Sequence, residues 1–258
     1  GSEAIKKAYQ QLKESLTKPT FDIRLQILSE ATPFTLSTIV QELRQPMLVV
    51  VPNPDKARWI HEQISIWCGN KVPVLLFPES EALPFERLAS QQDITHQRIT
   101  ALSSLIQNPS QTSIIVASVL ALSQKTIEKN NFQTNSHTLH IDQNIKLKEI
   151  LGQWQIMGYK FEPLVTTPGH ASHRGGIVDI FSPNSDLPSR IELWGNKIES
   201  IRFFDPTTQI SNSVVDSVTI IPALETLPKL SIKDILSKQV KSIDSLYIYI
   251  VCCPRQRI

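Results

Sequence analysis

Apolar residues in the first half of the chain follow two patterns that alternate. Short continuous runs of valine, isoleucine and leucine are separated by longer segments in which apolar residues recur at helical spacing. This alternation is typical of a parallel sheet with helices on both faces. It predicts strands at residues 24–28, 47–51, 72–77 and 113–117, and helices at residues 4–16, 35–43, 54–67 and 94–106. Residues 3–137 are therefore predicted to form an α/β domain.

The pattern changes after about residue 130, where short strands follow one another with tight turns. The Gly195-Asn196 pair is a signal for a two-residue hairpin turn, and Asp205-Pro206 supplies another turn. Strands are predicted at residues 160–165, 176–181, 190–194, 197–204 and 217–221. We predict a smaller α+β antiparallel domain, inserted after the α/β layer and spanning residues 138–225.

The two ends of the chain fall outside these domains. Gly1-Ser2 is typical of an expression scar. Residues 226–258 include a strand-like run at residues 246–252, and we expect a linker followed by the start of the returning α/β part.

Composition agrees with an ordinary soluble protein. The chain has 258 residues, of which 41% are hydrophobic and 19% charged, and a formal net charge of +2. No apolar run approaches the ~20 residues of a membrane-spanning helix, and we expect no membrane partner and a cytoplasmic location. Cys68, Cys252 and Cys253 suggest neither a disulfide framework nor a metal site.

Histidines and carboxylates offer no convincing catalytic or metal site. His137 and His140, like His170 and His173, are three residues apart, but neither pair lies on a predicted helix with a suitable carboxylate. We interpret them as surface or loop histidines. No Gly-x-Ser-x-Gly motif supports a catalytic triad. Asp93 is predicted to cap the helix that follows it.

The segment where a nucleotide-binding domain carries its phosphate loop has the wrong chemistry. It follows the predicted first strand and reads Ser-Glu-Ala-Thr-Pro-Phe-Thr over Ser29 to Thr35. A phosphate loop needs glycines and a lysine, whereas this segment contains neither, and Pro33 removes a backbone donor. We therefore expect no cofactor in this domain.

The strand at residues 190–194 and its hairpin partner carry the most informative side chains. Alternation turns Ile191 and Leu193 toward the core and Arg190, Glu192 and Trp194 outward. The same reasoning puts Ile201 and Phe203 inward and Arg202 and Phe204 outward. Exposed arginine beside tryptophan is typical of protein interfaces. The alternative is that another element covers Trp194 and that Glu192 pairs with Arg190.

Several motifs together resemble the UvrB-homology region of the bacterial transcription-repair coupling factor. They are the segments Arg174–Pro183, Pro188–Trp194 and Ile198–Pro206, with Phe77–Arg87 and Asp93–Arg98 before them. The resemblance covers roughly residues 20–222. UvrB itself is the nearest competitor, but it has an intact phosphate loop and a tyrosine-rich hairpin. Here, residues 78–92 contain Phe85 and no tyrosine.

The resemblance implies a docking role. It implies a degenerate, RecA-like helicase layer without ATPase activity, and an α+β domain that binds UvrA. The family's contact residues fall on Arg174, Arg190 and Trp194, although the family often has phenylalanine where this chain has Trp194. Arg202 is a further candidate. ATP and magnesium, and the contacts with RNA polymerase and DNA, belong to downstream domains of the family.

Two alternatives remain open from the sequence. The chain could be a UvrB-like nucleotide-binding helicase fragment, or a DNA-binding module. Residues 138–225 carry 7 basic and 10 acidic side chains, which disfavours broad contact with phosphates. The docking interpretation predicts that Arg190→Glu weakens UvrA binding strongly and leaves thermal unfolding near wild type.

Overall fold

The computed structural model describes residue 10 and residues 27–80, 88–107, 110–225 and 248–250. Except for residue 10, the predicted helix at residues 4–16 lies outside the described residues, as do most of the predicted strand at residues 24–28, Phe85 and most of the tail. The chain divides into two compact units. The first contains Gly1–Glu79, Asn108–Gln124 and Asp244–Ile258, and the second contains Ser80–Gln107 and Lys125–Ile243.

The described secondary structure begins with a 3-10 turn at Ser29–Ala31. In chain order it continues with α1 (Thr32–Leu43), β1 (Met47–Val51), α2 (Pro54–Cys68), β2 (Val74–Phe77), α3 (Leu88–Gln107), β3 (Ile114–Ser118), α4 (Val119–Ser123), α5 (Lys129–Asn135), β4 (His137–His140), α6 (Leu147–Ile156), β5 (Lys160–Phe161), β6 (His170–Arg174), β7 (Ile177–Ile180), β8 (Ser189–Trp194), β9 (Lys197–Phe204), β10 (Ser211–Val214), β11 (Ser217–Ile220) and β12 (Ile248–Ile250).

The first unit is built on a parallel sheet. Its four strands lie in the order β12-β1-β3-β2, and every pair is parallel. Alternate residues of β1 and β3 join apolar residues of α1 and α2 in one core. Asn53 begins α2 by accepting a hydrogen bond from the Lys56 backbone N–H at 2.9 Å, and Pro54 fits the first helical position. The unit has the α/β character that the apolar runs predicted.

The second unit combines helices with antiparallel sheets. Six strands lie in the order β10-β9-β8-β7-β6-β5, antiparallel except for the short β5 beside β6, and β4 pairs with β11 in a separate ribbon. Trp154 of α6 is fully buried among Ile191, Ile201 and other apolar residues. With its parallel and antiparallel sheets, the chain belongs to the mixed α/β class.

One buried ion pair anchors α3 within the second unit. Nε of Arg98 lies 2.7 Å from Oε1 of Glu225, and almost no surface of Arg98 is exposed.

Helix α3 already begins at Leu88, so the prediction that Asp93 caps it is wrong. The prediction failed because the apolar periodicity starts late, whereas hydrogen bonding extends the helix by six residues.

The four paired histidines all lie on strands, where His140 and His173 are exposed, as predicted, and His137 and His170 are partly buried. His137 begins β4, and its Nε2 accepts a hydrogen bond from the indole N–H of Trp154 at 3.1 Å. Burial lowers the pKa of His137, which favours the neutral ring that this bond requires. His170 begins β6, where partial burial also lowers the pKa of its imidazole.

None of the described helices is long and apolar enough to cross a membrane.

Two tight turns at the same end of the six-stranded sheet both depend on glycine. Gly175-Gly176 joins β6 to β7, and Gly195-Asn196 joins β8 to β9, as the hairpin signal predicted. Gly175 and Gly195 have φ angles of 60° and 61°. A Cβ on Gly176 would lie 2.8 Å from the Leu193 carbonyl oxygen, so the close approach of β7 to β8 requires glycine there.

Candidate protein-binding surface

The side chains of interest share one face of the six-stranded sheet, which we call the outer face. Residues directly opposite each other on antiparallel strands point to the same side. Pairing therefore places Asp179 beside Arg190, and Ile177 beside Glu192. Continuing across the sheet, the outer face carries Ser172, Arg174, Ile177, Asp179, Arg190, Glu192, Trp194, Lys197, Ser200, Arg202 and Phe204.

Asp179 and Arg190 form a two-pronged ion pair near the centre of this face. Arg190 donates from Nε to Oδ1 at 2.8 Å and from Nη2 to Oδ2 at 2.9 Å. Asp179 is 1% exposed and the Arg190 side chain only 18%. The hydrogen bond with Asp179 is the main cause that raises the pKa of Arg190 above its ordinary value. Arg190 points to the predicted side but is largely buried there.

Phe204 lies next to Arg190 in the covered part of the outer face. Its side chain is fully buried with Val165 and Phe181, so the prediction that it points into solvent is wrong. The guanidinium carbon of Arg190 lies 4.6 Å from the centre of the Phe204 ring, a cation–π contact. Nη1 of Arg190 also donates to the Gln209 carbonyl at 3.3 Å.

Arg174 reaches the same carboxylate but remains open to solvent. Its Nη2 lies 3.6 Å from Oδ2 of Asp179, and 58% of the Arg174 side chain is exposed. This distance exceeds that of a direct hydrogen bond, so the contact is an ion pair without the two-pronged geometry of Arg190. Two guanidinium groups therefore share one buried carboxylate.

Trp194 stands at the end of β8, and 81% of its surface is exposed. Leu193 N–H donates to the Gly176 carbonyl at 2.7 Å, and extending this register brings Trp194 opposite Gly175. Ile177 on β7 is 40% exposed. Among the described residues no element covers Trp194, so the alternative of a hidden tryptophan is wrong.

A second charged pair lies beside these residues. Glu192 accepts a hydrogen bond from the Ser200 hydroxyl at 2.6 Å and lies 3.4 Å from Nη2 of Arg202. Glu192 thus pairs with Arg202, so the alternative in which it pairs with Arg190 is wrong. Arg202 is partly exposed, while Ile191 and Ile201 are buried as the alternation predicted.

Asp179 is the residue of this surface that sequence reasoning missed. It interrupts the apolar run Ile177-Val-Asp-Ile-Phe181, where an acidic side chain needs a positive partner if it is to be buried. That interruption was the available signal. The partner could not be chosen from sequence, because the pairing depends on the register between β7 and β8.

The segment at the phosphate-loop position is largely regular structure. Ser29–Ala31 form the 3-10 turn, and Thr35 lies inside α1, where its hydroxyl donates to the Ala31 carbonyl at 2.9 Å. A lysine from elsewhere does reach this segment, since Nζ of Lys56 donates to the Ser29 hydroxyl at 3.0 Å. The same amine lies 3.8 Å from the centre of the Trp59 ring.

Metal binding finds no support in the part of the chain that the structure describes. No group of three or more histidine, cysteine, aspartate or glutamate side chains is close enough there to hold an ion. The only cysteine among the described residues, Cys68, is buried, and burial raises the pKa of its thiol.

The outer face of the α+β unit thus presents an exposed tryptophan beside a buried aspartate–arginine pair and a second, exposed arginine. Residues 138–225 match the family described as the UvrB interaction domain. They therefore belong to that domain family. As its motifs predicted, the chain as a whole is related to the UvrB-homology region of bacterial transcription-repair coupling factors.

The curated relatives agree with this assignment. The transcription-repair-coupling factor of Myxococcus xanthus is 31% identical over 190 residues, which is 72% of this chain and 16% of that protein. The factor of Escherichia coli is 26% identical over 204 residues, covering 77% of this chain and 17% of that protein. The UvrABC system protein B of Thermosipho africanus is 26% identical over 253 residues, covering 93% of this chain and 37% of that protein.

The structure changes what Arg190→Glu should do to stability. A glutamate there would face the buried Asp179 carboxylate, so we expect the free energy of unfolding to fall by about 3 kcal/mol. Urea denaturation measures this, with Arg174→Gln as the control, because removing the exposed arginine should cost less than ~1 kcal/mol. Equal stability of Arg190→Glu and wild type would restore the sequence-based expectation and contradict the buried pair.

Proposed function

We propose that this chain is a non-catalytic part of a transcription-coupled repair factor and that it recruits UvrA through the outer face of its α+β unit. The observation that carries the proposal is the 81% exposure of Trp194 within the matched UvrB interaction domain. A side chain of this size binds strongly when a partner removes it from water. The resemblance to the coupling factors implies that the partner is UvrA.

The charges of the outer face favour an acidic partner. Arg174, Arg190 and Arg202 share this face with only two carboxylates, Asp179 and Glu192. Over residues 138–225 as a whole, acidic side chains outnumber basic ones by 10 to 7. The face is thus a basic patch on an acidic domain. Such a patch can steer an acidic protein surface toward itself and fix the orientation of binding.

The apolar contacts supply the affinity in this proposal. Trp194 and Ile177 stand at the turn end of the sheet, beside the ion pairs. Binding hot spots combine a buried aromatic anchor with arginine and surrounding residues that exclude water. We propose that Trp194 enters an apolar recess of UvrA, while Arg174 contacts a carboxylate at its rim.

We propose further that the first unit has a helicase-like architecture and neither binds nor hydrolyses ATP. The absence of glycine and lysine from Ser29 to Thr35 supports this, as does the Thr35 hydroxyl bond within its own helix. ATP, magnesium, RNA polymerase and DNA would act on other parts of the full-length factor. We propose that this chain recruits UvrA in the cytoplasm, where bacterial DNA lies.

Trp194→Ala should weaken UvrA binding by about 2 kcal/mol or more, roughly thirtyfold, because it removes the proposed anchor. Surface plasmon resonance with the wild-type and variant chains measures the loss. Trp67→Ala is the control, since Trp67 is also exposed but lies in the first unit. Thermal unfolding of Trp194→Ala should match wild type, and unchanged affinity for UvrA would refute the assignment of the surface.

The absence of ATP binding can be tested by calorimetric titration of the chain with ATP and magnesium. We expect no saturable heat, because Lys56 alone cannot replace the backbone donors of a phosphate loop. Saturable binding that disappears in Lys56→Ala would contradict the proposal and favour a UvrB-like nucleotide site.

A further inference from the structure

The buried carboxylate of Asp179 stands between the two arginines that the resemblance assigns to partner binding. Both of its oxygens accept hydrogen bonds from Arg190, at 2.8 and 2.9 Å. One of them, Oδ2, also lies 3.6 Å from Nη2 of Arg174. Because Asp179 is 1% exposed, these arginines rather than water must balance its charge.

Arg190 is held in one orientation by contacts with three residues. Asp179 takes two of its donors, the Gln209 carbonyl takes a third at 3.3 Å, and the Phe204 ring packs against the guanidinium plane. A buried carboxylate deprived of its partner is strongly destabilising, so Arg190 must remain on Asp179 while the domain is folded. Its position is therefore fixed before any partner arrives.

Arg174 has a different relationship with the same carboxylate. It approaches diagonally from β6, where it pairs directly with Ile177, and makes no hydrogen bond with another described side chain. Because Arg190 already donates to both oxygens of Asp179, Arg174 is attracted to the carboxylate but keeps its own hydrogen-bond donors available for a partner. Two positive groups over one negative group leave a net positive charge at this point of the outer face.

We infer that Asp179 is the positioning residue of the outer face: one buried carboxylate locks Arg190 in place and draws Arg174 into the orientation in which it meets a carboxylate of the partner. The inference rests on the proposed function. An exposed arginine loses rotamer entropy when it binds, and ordering it beforehand reduces that loss. Asp179 thus acts through Arg174 and Arg190 and does not itself contact the partner.

The inference predicts a specific pattern of affinities for UvrA. Asp179→Asn keeps the shape of the side chain and removes its charge, and it should weaken binding about tenfold, a coupling within the usual range for one charged network. In an Arg174→Gln/Arg190→Gln background there is nothing left to position, so Asp179→Asn should change the affinity less than about twofold. Asp186→Asn, which removes an exposed charge from the same domain, is the control and should bind like wild type.

Two results would overturn the inference while leaving the proposed function intact. One is wild-type affinity in Asp179→Asn. The other is a tenfold loss that recurs in the background without the arginines. If Arg174→Gln and Trp194→Ala both bind UvrA normally, the proposed function itself fails. The two failures are therefore distinguishable.

A measurement on the wild-type chain covers the case in which a variant does not fold or binds too weakly to measure. Nuclear magnetic relaxation of the arginine Nε–H groups should give Arg174 an order parameter above about 0.6 despite its 58% exposure. Arg44, which is exposed in the first unit, is the flexible reference. An Arg174 as mobile as Arg44 would show that Asp179 does not hold it, and would overturn the inference.

Discussion

The order of the outer face depends on one constraint, the burial of the Asp179 carboxylate within a sheet. A charge in that position must be matched by donors of fixed geometry, and the register of β7 against β8 supplies Arg190 directly opposite. The pair then determines its surroundings. The guanidinium group lies over Phe204, and the Phe204 ring packs with Val165 and Phe181 in a small core of its own.

The outer face consequently has two halves with different properties. One half is a covered region of ion pairs and aromatic packing that contributes to the stability of the domain. The other half lies at the turns, where Gly175 and Gly195 allow the strands to reverse without side chains that could shield Trp194. A rigid half beside an open half suits a docking surface, since the partner meets groups whose orientation is already fixed.

Sequence patterns predicted much of this architecture because they report local forces. The bounds of β1 and β9 and the inward positions of Ile191 and Ile201 follow from alternation and burial alone. The β6 strand was missed because His-Ala-Ser-His-Arg has no apolar run, and its pairing with β7 gives it a strand conformation. Helix α6, which carries the fully buried Trp154, was not predicted either.

The errors at the site have a different physical origin. Alternation indicates to which side of a sheet a residue points, but it cannot indicate whether that side is covered. Phe204 points away from the main core as predicted and is nevertheless buried, because Val165 and Phe181 come from distant parts of the chain. Trp194 is exposed on the same face because nothing described reaches that end.

Whether UvrA covers Trp194, as proposed, can be measured by the fluorescence of that residue. The contribution of Trp194 is the difference between the emission of the wild-type chain and that of Trp194→Phe, recorded with and without a version of UvrA whose tryptophans are replaced. In the free chain the difference should be the long-wavelength emission of an indole in water. Saturating UvrA should shift it to shorter wavelength and protect it from acrylamide quenching. Emission and quenching that stay unchanged in a chain shown to be bound would contradict the account.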